Sequence, residues 1–382
     1  MLEASLSQFF SQWRRVVLGG NRVVLEGLVN SDPDAEPPPR LRRALMQWPG
    51  HYYWQRRSDG RWLVLVREFV AARERWWLHA LLLVATLLTA SLGGAALLPA
   101  GSSEGATLAG GATLAAGAAG AELGGTLMVR LMRGLPFSIP LLAILGAHEA
   151  GHYLAARRYR INASPPYFLP FVPELNVIGT LGAFIRLRSP VYDRQTLFDI
   201  SVAGPLAGLA IAVPVLALGL AHSQITPDVA GTPLAHQFVV VGGLPPWRLG
   251  DSLLLLLLRS MLAPQGVLQL HPVAVAGWVG VLVTMLHLLP LTQFDGGHAL
   301  FALIGRRQRV VAWAFWVVLV AMGIALWPAW LVWAALALVV GRGSLAHPRI
   351  VTAGVPLDPR RRLVGWLLFA LFALCFVPLP VA

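Results

Sequence analysis

The chain has 382 residues, 56% of them hydrophobic and only 13% charged, and its mean hydropathy is +0.65. A composition this apolar excludes an ordinary soluble enzyme and describes a mainly α-helical, multi-pass integral membrane protein with the lipid bilayer as its surroundings. The formal net charge of +12 comes from arginine without a single lysine, and the arginines gather at the ends of apolar spans. That placement signals membrane topology, so no nucleic-acid partner is expected. The lone Cys375 excludes an intrachain disulfide.

Residues 1–75 are Arg-rich and too charged to span. Within them, 22–29 reads as a strand, and 51–55 with 61–66 as a hairpin carrying Asp59-Gly60 at its tip. A Pro-rich stretch at 32–39 separates the two. This predicts a small α+β domain, assigned to the cytoplasmic side, and residues 1–17 lack the apolar core of a signal peptide. The first span is expected over 77–98, opening with paired tryptophans at interface level. A Gly/Ala/Thr tract at 101–125 is read as an extracytoplasmic loop, not a weakly apolar helix. The second span covers 135–156 and ends in Arg157, Arg158 and Arg160. With the N-terminus inside, that cluster lands in the cytoplasm, where basic residues accumulate; Arg130 and Arg133 at the outer end are a mild exception.

Residues 162–195 break the helical pattern. The run at 165–173 is too rich in proline for a helix, and 179–188 alternates like an edge strand, so a membrane-associated β-hairpin is expected. A third span opens at Asp199 and reaches about 220, with Gly204 and Gly208 read as a plain packing seam. After a polar outer loop, the leucine run at 251–259 is too short to cross and reads as re-entrant or interfacial. Further spans are expected over 273–291, on either side of Trp327 and Trp330, and over 363–377. The total is about seven transmembrane helices, within a range of six to eight. The chain thus divides into 1–75, 76–134, a membrane core at 135–305, and 306–382.

The second span carries His148-Glu149-Ala-Gly-His152. On a helix, positions four apart share a face, so His148 and His152 can offer two imidazoles to one metal ion. Glu149 sits one position round, beside the ion, where a general base belongs. Ten histidines make a chance match conceivable, but a carboxylate between two imidazoles in an apolar span is costly and demands a function. A catalytic zinc site normally takes three protein ligands, and Asp295 is the best third candidate, being followed by Gly296 and Gly297 that admit another backbone. The alternative for Asp295 is a simple turn former. Depth agrees with pairing: His152 lies roughly 8 Å of helix before Arg157, and Asp295 at most ~17 Å before Arg306. His148 lies about 14 Å before Arg157, which puts the site in the cytoplasmic half of a core about 30 Å thick.

His-Glu-Ala-Gly-His, Gly179-Thr-Leu-Gly-Ala-Phe, Ala203-Gly-Pro-Leu-Ala-Gly and Pro290-Leu-Thr-Gln-Phe-Asp-Gly-Gly-His together resemble the site-2 protease family of intramembrane zinc metallopeptidases. The arrangement is most similar to the branch with plastid and cyanobacterial members, and it covers roughly residues 135–305. The resemblance implies Zn2+ held by His148, His152 and Asp295, with Glu149 as general base. It also implies that the strand containing Gly179, Thr180 and Gly182 lines the path of a membrane-spanning protein substrate. The family usually has Asn where this chain has His287. That ring can stand in for the amide in substrate binding, serve as a fourth ligand, or mark weakened activity; the stand-in is the reading adopted here. His298 is expected to support Asp295 rather than to ligate. His222, His236, His271 and His347 are read as loop or interface residues without a role.

Three other classes compete: a metal transporter, an inactive membrane scaffold, and a protease resembling the prenyl-protein peptidases with Glu174 as third ligand. Ligands clustered near one face disfavour the transporter, and the Pro-rich surroundings of Glu174 disfavour the last. Cleavage in the cytoplasmic half of a substrate span is the expected activity.

Overall fold

The computed structural model describes residues 8–18, 22–29, 37–48, 50–57, 59–67, 74–97, 119–159, 161–173, 175, 176, 178–188, 191, 193–225, 238–240, 247–262, 267–348, 350 and 356–381. The chain divides into two compact units, Met1–Glu74 and Arg75–Ala382.

In the first unit, β1 (Phe10–Leu18), β2 (Arg22–Val29), α1 (Pro39–Met46), β3 (Gly50–Arg57) and β4 (Gly60–Arg67) follow in order. The strands form an antiparallel sheet in the order β1-β2-β4-β3. Alternation puts Leu63 and Leu65 of β4 on one face with Leu25 of β2, and this face meets Leu41 and Leu45 of α1 together with Trp48. Proline at the first position of α1 costs no hydrogen bond, because that N–H would be unpaired anyway. The β3–β4 turn pairs Arg57 with Gly60, whose φ of +135° suits glycine. β1 and α1 have no counterpart among the expected elements.

The second unit is mostly helical. Its elements begin with α2 (Trp76–Ala96), α3 (Ala119–Arg158), β5 (Tyr167–Pro170), β6 (Thr180–Phe184) and α4 (Arg194–Ala221). Short strands β7 (Gln224–Ile225), β8 (Phe238–Val240) and β9 (Trp247–Leu249) lead to α5 (Leu253–Leu262), β10 (Leu268–Gln269) and α6 (Pro272–His287). The chain ends with α7 (Asp295–Ile304), a 3-10 turn (Gly305–Arg307), α8 (Gln308–Ala325), α9 (Ala329–Val340) and α10 (Pro359–Cys375). β5 and β6 pair antiparallel, and β7 to β10 form a small sheet in the order β7-β10-β8-β9, whose first three members in chain order, β7, β8 and β9, fall in the region read as polar loop.

Among the described residues, four helical stretches are long and apolar enough to cross a membrane: Trp76–Ala96, Leu127–Arg158, Arg194–Ala221 and Asp295–Ala325. Leu253–Leu262, Pro272–His287 and Ala329–Val340 are apolar but shorter. Large apolar side chains such as Leu81, Leu154 and Leu218 stay exposed on the outside, a surface that suits an apolar solvent. Two expectations need correction. The tract read as a loop at 101–125 is already helical from Ala119, since Ala, Glu and Leu favour helix and run without a break into the apolar span; 101–118 lie outside the described residues. The span expected to reach 291 stops at His287, because Pro290 disfavours helix in the residue before it and brings the chain into a turn.

The core runs through α3, α4 and α6: Phe137, Leu141, Ile144 and Leu145 meet Leu209, Leu216, Ala274 and Val279. In an apolar solvent such helices associate by close packing rather than by the hydrophobic effect. Small residues serve that here, as where Gly277 meets the backbone of Leu216.

Candidate metal centre

α3 presents His148 and His152 one turn apart, both buried. The imidazoles point at one place, with their Nε2 atoms 3.1 Å apart. What frees that space is α4. A Cβ at Gly204 would strike the His152 ring, and one at Gly208 would lie 3.1 Å from His148 Nδ1. The glycines read as a packing seam therefore face the metal-motif histidines themselves. α4 also orients His152: its Nδ1 lies 2.8 Å from the carbonyl oxygen of Ile200. Nδ1–H donates there, which leaves the Nε2 lone pair free for a ligand role. Sequence reading missed this contact, because a backbone acceptor has no side-chain signature.

The remaining donors come from helix ends. His287 is the last residue of α6 and Asp295 the first of α7. Gly296 and Gly297 let the turn fold tightly onto α7, since a Cβ at either would strike carbonyl oxygens of Leu288, or of Leu291 and Thr292. Asp295 Oδ2 consequently lies 3.3 Å from Nε2 of both His148 and His152. His287 Nδ1 lies 2.9 Å from His148 Nε2 and 3.3 Å from the same carboxylate oxygen.

This set fits a cation. His148 Nε2 has three polar neighbours within 3.3 Å yet offers one proton or one lone pair, so hydrogen bonds alone cannot satisfy the cluster. Zinc–nitrogen bonds of about 2.0–2.1 Å in tetrahedral geometry separate donors by roughly 3.3 Å, close to the distances found. His148, His287 and Asp295 also stand out among the described residues as a group able to hold a metal ion. Glu149 is buried beside them.

The hairpin residues divide. Gly179 is packed against Thr89 of α2, and its carbonyl accepts from the Thr89 hydroxyl at 2.7 Å. Thr180 is buried, donating to the Leu169 carbonyl at 2.7 Å and accepting from Gly182 N–H at 3.0 Å. Gly182 has φ +100° and open space where a side chain would be. His298 meets His347, their Nδ1 and Nε2 atoms 2.6 Å apart. His347, given no role from sequence, is thus the hydrogen-bond partner of His298. It stacks on Phe301, and its Nδ1–H donates to the Pro348 carbonyl. Burial, then the neighbouring His298, lowers the His347 pKa to about 3. His222 is exposed and bonds within its own helix, His271 caps α6, and His236 and Glu174 lie outside the described residues.

The fold and the cluster define a class: a protein of apolar helices enclosing a buried site of histidine and aspartate donors with a glutamate beside it. Residues 136–327, half of the chain, match the model of peptidase family M50, and the chain belongs to that family, the site-2 proteases. It is 36% identical over 181 residues to "Probable zinc metalloprotease EGY1, chloroplastic" of Arabidopsis thaliana, covering 46% of this chain and 31% of that protein. The EGY1 protein of Oryza sativa subsp. japonica is 36% identical over 178 residues, covering 45% and 28%. "Probable zinc metalloprotease EGY2, chloroplastic" of Arabidopsis thaliana is 28% identical over 255 residues, covering 66% and 43%. The matches thus span less than half the length of these relatives. No solved structure matches the chain.

Proposed function

We propose that this chain is an intramembrane zinc metalloprotease that cuts a peptide bond in the cytoplasmic half of a substrate's transmembrane segment. The observation that carries the reading is Asp295 Oδ2 lying 3.3 Å from Nε2 of both His148 and His152, with Glu149 buried next to them. His148, His152 and Asp295 would hold the ion. Bound zinc brings the pKa of water near 7 and polarises a carbonyl. Glu149 takes the proton from the attacking water and passes it to the leaving amine.

A substrate helix must be unwound before its carbonyls are accessible. β6 supports this step: among the described residues it has a partner strand on one side only, so an extended peptide can add along its other edge. Gly182 leaves room there. Gly, Pro or polar residues near the cut lower the cost of unwinding. In this reading the protein crosses the bilayer about seven times, with α6, α9 and α10 among the crossings and α5 re-entrant or interfacial, and its N-terminal domain lies in the cytoplasm.

The test is Glu149→Gln, which keeps side-chain volume and removes the proton acceptor. Cleavage of a transmembrane substrate should fall by roughly 10²–10⁴-fold with zinc content unchanged. Turnover near wild type would remove Glu149 from its role. Mass spectrometry of product ends places the cut, and a cut in the outer half would refute the topology.

A further inference from the structure

The cluster holds one imidazole more than the ligand triad uses. His287 Nδ1 approaches His148 Nε2 and Asp295 Oδ2 at 2.9 and 3.3 Å. His152 Nε2 approaches the same two atoms at 3.1 and 3.3 Å. By distance, His287 is as much a donor to an ion on that pair as His152 is. Exposure separates them. The His148 and His152 side chains are 4% and 9% exposed, whereas that of His287 is 34% exposed.

We infer that His287, expected from the sequence to stand in for the family's amide, is instead a fourth protein ligand to the ion held by His148, His152 and Asp295, closing the shell at rest, and that its side chain withdraws for turnover. The inference rests on the metalloprotease reading above. Zinc with four protein ligands is the arrangement of structural sites, and catalytic sites keep one position for water or substrate. A ring at the end of α6 with a solvent-facing edge is the ligand most readily displaced. The backbone does not supply the movement, because the turn after His287 is gripped by Gly296 and Gly297. Rotation of the side chain does. A substrate peptide entering along β6 would then gain access to the ion only as His287 gives way, which limits idle hydrolysis.

X-ray absorption on zinc-loaded, detergent-solubilised protein counts the imidazoles directly. Three imidazoles and one carboxylate are expected in the wild type, and two imidazoles in His287→Asn. Chelator competition should show zinc affinity lowered on the order of tenfold or more in that variant, at least the effect of losing a group that merely orients a ligand. If the variant fails to fold, the wild-type imidazole count decides alone. Two imidazoles in the wild type, with zinc binding still lost in His148→Ala, would overturn the inference and leave the protease reading intact. Full zinc retention in His148→Ala would instead sink the metal centre and this inference with it.

Discussion

The two halves of the metal centre are built on different principles. His148 and His152 sit inside a long helix, fixed by its period, and α4 packs against them through Gly204, Gly208 and the Ile200 carbonyl. His287 and Asp295 stand at two helix ends joined by a turn, and close contacts between that turn's carbonyls and Gly296 and Gly297 help bring them together. One half is local and repeats every turn. The other is set by backbone contacts between segments, so its failure should cost the fold as well as the metal.

The sharpest test of the first half is Gly204→Ala. The new methyl would occupy the place of the His152 imidazole, so the ring must leave the cluster. Zinc affinity should drop on the order of 100-fold, the upper end for losing a ligand's proper orientation, while the helices persist. Metal analysis and circular dichroism on the same sample check both statements. The second half is tested by Gly296→Ala, whose methyl meets the Leu288 carbonyl rather than a side chain that can move. Here stability should fall by about 3 kcal/mol or more, seen as a lower Tm even in metal-free protein. Equal Tm values for the two metal-free variants would erase the distinction. Gly208→Ala is milder, since its methyl would sit 3.1 Å from His148 Nδ1. A drop in zinc affinity on the order of tenfold, measured by chelator competition, is expected.

This contrast also explains what the sequence disclosed. His148, Glu149 and His152 were legible because helical spacing turns a five-residue pattern into one face. Asp295 was legible through the two glycines after it, which announce close backbone approach. His287 registered only as a departure from the family pattern, and nothing in its neighbours says that its ring reaches His148. Gly204 and Gly208 were recognisable as a seam, but a spacing of small residues does not say what packs there. The span over 273–291 was placed with too much length, because hydropathy continues past His287 while the helix does not. In the N-terminal unit, β4 was readable from its β-branched, apolar run after Asp59-Gly60, whereas β1 has Arg14 and Arg15 within it and reads as solvent-facing chain.

The smallest effect should come from the His298–His347 pair. His347 lies in the loop after α9, outside the spans, and reaches α7 through Phe301 and His298. Its Nδ1–H donates to the Pro348 carbonyl, so its Nε2 accepts from His298 Nδ1–H, and this pairing requires a neutral His347. Burial holds its pKa at about 3, against 6.5 for the unperturbed group. Between those values the unfolded chain takes up a proton that the folded chain refuses, so folding stability falls as the pH drops from about 6.5 toward 3. At most this amounts to roughly 1.4 kcal/mol per pH unit from this one group. His347→Gln removes the titration and keeps a hydrogen-bonding side chain. It should cost about 1 kcal/mol at pH 7 and flatten the acid limb of the Tm-against-pH curve. Zinc affinity at pH 7 should change by no more than about threefold, since His298 and not a ligand loses its partner, below the tenfold expected when a ligand's own orienting contact is lost. An unchanged acid limb would show that His347 is protonated in the folded protein, and a tenfold loss of zinc would show that the helix-end half is held through His298 after all.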